Sequence, residues 1–226
     1  MFINTSGLIL REVPYSDTGK VLTVLTSSEG KLTVSAHGAH RKNSKLSAVT
    51  QLLAFSEMTL LKKKDRWSLT EAQSVEQFIG LRDDLALLAL GAYIAELAEA
   101  VSDEDSLSAT LLPLCLNSLY ALSEKLKPHE FVKPAFELRL MLNAGFEPIL
   151  VETGGADTIL PEDGRLALSA GALQAAHYII NCDAKKLFSF SLSSDALKEL
   201  SKKTEAYMLA HLDRKFRTLD YYHAVK

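Results

Sequence analysis

Two periods divide this chain. As far as about residue 78 the apolar residues alternate in short runs, and beyond it they recur at helical spacing. Gly7 to Val13 reads as a first strand, stopped by Pro14, which has no N–H to give to a ladder. Lys20 to Thr26 is rich in β-branched residues and ends at the turn Ser27-Ser28-Glu29-Gly30. Lys31 to His37 alternates strictly, with Leu32, Val34 and Ala36 on one face and Lys31, Thr33, Ser35 and His37 on the other. Gln51 to Leu61 and Arg66 to Thr70 supply two more strands, joined by the charged turn Lys62-Lys63-Lys64-Asp65. Five short strands without a long helix fit a small closed barrel. The five-stranded OB barrel leads, and an SH3-like barrel has the same strand count.

The later period predicts helices. Asp83 or Asp84 can cap one that runs to about Val101 and is apolar almost all round. Ser102-Asp103-Glu104-Asp105-Ser106 breaks it, and Leu107 to Leu126 follows, with Pro113 set to kink that helix or shift its start. Phe131 to Ala144 carries Phe131, Ala135, Leu138 and Leu142 on one stripe, with Gly145 placed as its C′ residue. A Gly- and Pro-containing stretch from Gly145 to Arg165 reads as loop or hairpin. Ser169 to Asn181 is a short helix, and Ser194 or Asp195 caps a last one reaching about Leu212. The tail from Arg214 to Tyr222 mixes bases and aromatics. The predicted architecture is α+β and multidomain: a barrel over residues 1–78, then an all-α helical domain over 79–226 with a loop at 145–168.

Composition and charge sharpen this picture in a few places. At 226 residues and 47% hydrophobic, the chain can bury a core. Its net charge of −3 conceals a division, because residues 1–80 carry ten Lys/Arg against seven Asp/Glu and the remainder is acidic. The basic excess concentrates between Lys31 and Lys45, where four Lys or Arg and two His stand without an Asp or Glu. Such a run suits a polyanion, since fixed cations release the counterions condensed on phosphates. The alternative is a solvated loop. Two cysteines, Cys115 and Cys182, make neither a disulfide framework nor a zinc site and fit a reducing cytosol. Met1 to Ser6 lacks signal-peptide character, and the longest apolar run, Leu85 to Ala95, is 11 residues where a membrane span needs about 20.

Catalytic patterns are weak. Asp17-Thr18-Gly19 matches the aspartic-protease triplet, but it reads better as a turn between the first two strands. Asp103, Glu104 and Asp105 lack the spacing of a calcium loop. No phosphate-binding glycine loop or nucleophile elbow is present, so no enzyme activity is expected. Trp67 is in phase with Leu69, which favours burial over base stacking. Arg214, Lys215 and Arg217 either complement a helix end or receive an acidic peptide.

The chain resembles the RecO family of bacterial recombination mediators. The resemblance is carried by Leu8-Ile9-Leu10, Tyr15-Ser16-Asp17-Thr18, Leu25-Thr26, Glu29-Gly30-Lys31, Ala36 to Lys42 and Ser44-Lys45-Leu46. Asn143 to Pro148 and Phe216 to Asp220 extend it more loosely. It implies an OB-fold followed by a helical domain. It also implies binding of single- and double-stranded DNA, strand annealing, and loading of RecA onto DNA coated with single-strand-binding protein. RecR and the acidic C-terminal tail of the single-strand-binding protein are the implied partners, in the cytoplasm at the nucleoid. Arg41, Lys42 and Lys45 match the family's basic segment. With Lys31, His37, His40, Lys62, Lys63, Lys64 and Arg66 they form the expected DNA-contacting set, while Arg214, Lys215 and Arg217 are the expected partner contacts. Gly38, Ser44 and Leu46 are expected to shape and anchor the segment. Many members carry a four-cysteine zinc site, but Val151 to Gly155 and Leu173 to Ile180 hold no cysteine here, so no metal or cofactor is expected. A protein–protein adaptor whose barrel never meets DNA is the rival.

Overall fold

The computed structural model describes residues 1–102, 108–153 and 164–226. The predicted break at Asp103 to Asp105 and the middle of the predicted loop lie outside the described residues. Strands β1 (Phe2–Pro14), β2 (Lys20–Thr26), β3 (Lys31–Ala36), β4 (Phe55–Lys63) and β5 (Arg66–Glu76) close into a barrel in the order β1-β2-β3-β5-β4. The β3–β5 pairing is parallel, with Val34 opposite Trp67 and Ser35 opposite Ser68, and the other four pairings are antiparallel. This is the five-stranded OB arrangement.

β1 is longer than alternation predicts because it serves two neighbours. Phe2 to Leu8 pairs with β4 and Gly7 to Pro14 with β2, and a register irregularity between Ile9 and Arg11 lets the strand curl between them. β5 likewise runs on to Glu76, paired with β4, although its second half is exposed and polar. β4 starts later than predicted. The preceding residues form a one-turn helix, α1 (Leu46–Val49), and a turn in which Leu53 takes a left-handed φ of 68°. Inside the barrel Ile9, Leu22, Val24, Val34, Met58, Leu60, Trp67 and Leu69 make one apolar cluster. Trp67 is therefore a core residue, 8% exposed.

A 3-10 turn over Ile79–Asp83 leads to α2 (Leu85–Val101), and Asp84 is its cap, accepting from the Ala86 N–H at 2.7 Å. α3 (Ser108–Ser123), with Pro113 inside it, and α4 (His129–Asn143) follow, and Gly145 takes the left-handed φ of 85° expected just past a helix end. The region is not purely helical. β6 (Ile149–Glu152) and β7 (Arg165–Leu168) pair in parallel, which rules out the predicted hairpin for them. A parallel pair needs a crossing connection, and alternation carries no information about strand direction.

α5 (Ala170–Asn181) and α6 (Ser194–Leu212) come next, and the cap of α6 is Ser193, one residue before the predicted candidates. The tail folds into α7 (Arg217–Val225), which buries Leu219 and Tyr222. A second apolar cluster joins Leu8, Leu10, Leu25 and Leu53 of the barrel to Leu81, Leu90, Tyr93, Ile94 and Leu97, so the helices rest on the outside of β1 and β2.

Charges are buried among the helices. Lys133 and Glu137 on α4, Glu205 on α6 and His223 on α7 form a chain of ion pairs, with Lys133 and Glu137 at 1% and 0% exposure. Nearer the surface, Glu199 of α6 accepts from the Ser169 N–H at 3.0 Å and from its hydroxyl at 2.5 Å, and pairs with Lys203 at 3.1 Å. Burial raises the pKa of this carboxyl, but the Ser169 and Lys203 contacts outweigh it and hold the group below its ordinary 4.5. A folded pKa below the unfolded one adds stability above the ordinary value and loses it as pH falls through the folded value. Glu199→Gln is thus expected to lower stability by about 1 kcal/mol at neutral pH. Urea unfolding of variant and parent should converge in acid, where the parent carboxyl is itself protonated.

Candidate nucleic-acid interface

The basic segment leaves the end of β3 as a series of tight turns. Gly38 adopts φ 75° and Asn43 φ 64°, both in the left-handed region. Arg41 N–H donates to the Gly38 carbonyl at 3.1 Å, Ser44 N–H to Arg41 at 3.0 Å and Ser47 N–H to Ser44 at 3.1 Å. The Ser44 hydroxyl also accepts from the Leu46 N–H at 3.2 Å. Ala39, fully buried, and Leu46, half-buried, belong to the barrel's apolar cluster and anchor the segment. Gly38, Ser44 and Leu46 thus occupy shaping and anchoring positions. The anchoring role of Ala39 was not signalled, because one small residue beside Gly38 in a polar run carries no periodic mark. The His40 N–H donates to the Thr18 carbonyl at 3.0 Å, fixing the segment to the β1–β2 turn.

This backbone leaves His37, His40, Arg41, Lys42 and Lys45 exposed. Among the described residues none of them is in an ion pair. The second basic group, Lys62 to Arg66, is the exposed β4–β5 turn, with Lys62 lying 5.2 Å over the Trp67 ring. The β3–β5 register places the two groups toward the two ends of the outer face of β3. Trp67 stands beside Val34, so Arg66 is four residues before His37 along β3, about 13 Å at strand spacing. The outward residues between them are Thr33 and Ser35.

Lys31 does not join this surface. Its ammonium donates to the Glu99 carbonyl at 2.9 Å, at the open end of α2, beside the Arg11–Glu99 ion pair at 2.9 Å. It holds helix to barrel. Alternation correctly placed Lys31 on the outer face, but no local pattern shows that a helix covers that end of the face.

The other candidates separate in the same way. Arg214 lies 4.0 Å from Glu96 and over the Phe216 ring at 4.9 Å, past the end of α6, while Arg217 opens α7 and Lys215 is exposed. With Arg11, Lys31, Glu12, Glu96 and Glu99, Arg214 and Arg217 border a cleft of about 770 Å³ between barrel and helices, where three acids offset most of the basic charge. Asp17-Thr18-Gly19 forms the β1–β2 turn, in which the Ser16 hydroxyl accepts from the Gly19 N–H at 3.0 Å. Cys115 is buried, which pushes its thiol pKa up, and Cys182 contacts the Arg139 guanidinium through its sulfur at 3.3 Å. Among the described residues no three His, Cys, Asp or Glu side chains gather as metal ligands.

Comparison with known proteins bears on the same two parts of the chain. Residues 1–78 match the family described as Recombination protein O N terminal, and residues 82–220 the family described as Recombination protein O C terminal. The chain is 30% identical to the DNA repair protein RecO of Acetivibrio thermocellus, over 97% of its own length and 96% of the relative's. It is 28% identical to that of Symbiobacterium thermophilum over 96% and 95%. Against the Bacillus subtilis protein it is 34% identical over 57% of this chain and 50% of that one.

Proposed function

Because the chain belongs to the RecO family of DNA repair proteins, we propose that it is a non-enzymatic recombination mediator that binds single- and double-stranded DNA through one side of its barrel. One observation carries this reading: Arg41, Lys42 and Lys45 are exposed and, among the described residues, in no ion pair, on a segment anchored to the end of β3, with Arg66 farther back along the same strand. Phosphates bridging these groups would release counterions. His37 and His40 flank the same track.

On this reading the protein anneals complementary strands and helps RecA onto strands covered by single-strand-binding protein, with RecR as a partner. The acidic tail of the single-strand-binding protein meets Lys215 and Arg217, since Arg214 is engaged with Glu96. The protein acts in the cytoplasm, at the nucleoid, and its domains divide near residue 78. No described helix is long and apolar enough to cross a membrane.

The test is charge reversal of Arg41, Lys42 and Lys45 together to Glu. Each lost phosphate contact removes about 0.7 from the slope of log affinity against log salt on single strands, so the triple variant should lose about 2 in slope. Equal slopes and affinities for variant and parent would sink the DNA assignment and leave the adaptor reading.

A further inference from the structure

Trp67 is buried with Lys62 over its ring, so it offers no face to a nucleobase. The exposed aromatic beside the basic segment is Tyr15, with 75% of its surface open. It is held firmly. Tyr15 and Ser16 both donate their N–H groups to the Gly19 carbonyl, at 3.0 and 3.5 Å, and the Gly19 N–H returns a bond to the Ser16 hydroxyl. The same turn receives the His40 N–H at Thr18, so its position relative to Arg41 and Lys42 is set by the fold.

Next to Tyr15 lies a weakly polar strip. Val13, 43% exposed, pairs in register with Val21, and Val21 with Ser35, across β1, β2 and β3. The β3 end of that strip leads into His37 and the basic segment. Asp17 is exposed in the Tyr15 turn and disfavours phosphate there, whereas the Arg41–Lys45 side attracts it. The turn therefore suits bases, and the segment suits the backbone.

We infer that Tyr15 is a base-stacking platform that adds affinity for unpaired strands and none for duplex. A base lies on its ring, its neighbour rests on the Val13–Val21 strip, and the phosphates run along Arg41, Lys42 and Lys45. This rests on the DNA-binding reading above. In a duplex the bases are already stacked on each other, so Tyr15 adds nothing there, while the cations serve both forms. Stacking displaces no counterions, so Tyr15 acts on affinity and leaves the salt slope alone.

The experiment measures the anisotropy of a labelled oligothymidylate and of a labelled duplex of equal length, with full-length parent, Tyr15→Ala, Tyr15→Phe and the triple Glu variant, across a salt series. Tyr15→Ala should weaken single-strand binding about tenfold, the size of one lost base–aromatic stack. Duplex affinity should stay within about twofold and the slope should not change. Tyr15→Phe, which keeps the ring, should bind like the parent. The inference is overturned if Tyr15→Ala binds single strands as the parent does, if it loses both forms equally, or if its slope flattens. A parent that binds and a triple variant that does not, combined with an unaffected Tyr15→Ala, removes Tyr15 alone. A parent that binds neither form removes both readings.

Discussion

Lys133→Met is expected to cost about 3–5 kcal/mol of folding stability, the loss characteristic of an uncompensated buried charge. The Lys133 ammonium lies 2.7 Å from one oxygen of Glu137 and 2.6 Å from one of Glu205. Glu137 also accepts from the Tyr93 hydroxyl at 2.7 Å and from Thr204 at 3.0 Å, so α2, α4 and α6 meet at one carboxylate. Burial works against the charge on Lys133, but its two carboxylate neighbours outweigh it and raise its pKa. Burial likewise pushes the Glu137 carboxyl up, with Lys133 as the chief opposing force. Without the ammonium, Glu137 keeps only neutral donors, and its pKa rises further.

The sign follows from that rise. A carboxyl whose folded pKa exceeds the unfolded one is penalised while ionised and relieved as pH falls through the folded value. Urea unfolding at neutral pH should therefore show the largest gap between Lys133→Met and parent, and mild acid should narrow it. Glu205 narrows it from the parent's side. Burial raises its pKa, but Lys133 and His223 hold it below 4.5, so the parent loses this contribution in acid. The double variant Lys133→Met with Glu137→Gln should recover at least about 1 kcal/mol, since it no longer buries an unpaired carboxylate. A single variant within about 1 kcal/mol of the parent would show that the network is not a buried charge cluster in solution.

Gly80→Ala should cost about 3 kcal/mol, at the upper end for overpacking, because the obstacle is backbone. Gly80 sits in the 3-10 turn between barrel and helices and donates its N–H to the Ser123 hydroxyl at 3.2 Å. A Cβ built there falls 2.1 Å from the Ser123 carbonyl oxygen, which no rotamer change can move aside. The turn would have to lift from the end of α3. Gly145→Ala is the control. Its position is open, with nothing within 4 Å, and only its φ of 85° resists a side chain, at a cost of about 1–2 kcal/mol. Equal urea midpoints for the two variants would contradict the steric account.

These residues mark how far the sequence can be read. β2 matches its predicted bounds of Lys20 to Thr26, because both faces of that strand are apolar or β-branched and both ends carry turns. Strand count and the change of period pointed to a small barrel followed by helices, with OB ahead of SH3-like, and the closed order with its parallel β3–β5 pairing decides for OB. The second half of β5 was lost because its exposed residues leave no apolar alternation, although β4 still pairs with it. α7 was hidden by its mixture of bases and aromatics, and its buried stripe holds only Leu219 and Tyr222. Lys133 and Glu137 stand at the spacing of an ordinary surface ion pair, and only the packing of α6 and α7 reveals them as interior. The basic segment was legible as composition. Its anchor at Ala39, the diversion of Lys31 to α2 and the stiff setting of Tyr15 all depend on contacts between distant parts of the chain.

Trp67 carries a spectroscopic consequence. It is the only indole in the chain and sits inside the barrel, under the Lys62 ammonium, while the helical half has none. Its emission therefore reports the barrel interior alone, without any introduced label, whereas far-ultraviolet ellipticity is dominated by the helices. Leu8, Leu10, Leu25 and Leu53 belong to the apolar cluster of the helices and Trp67 to that of the barrel interior, so the two signals follow two cores that share the strands β1 and β2.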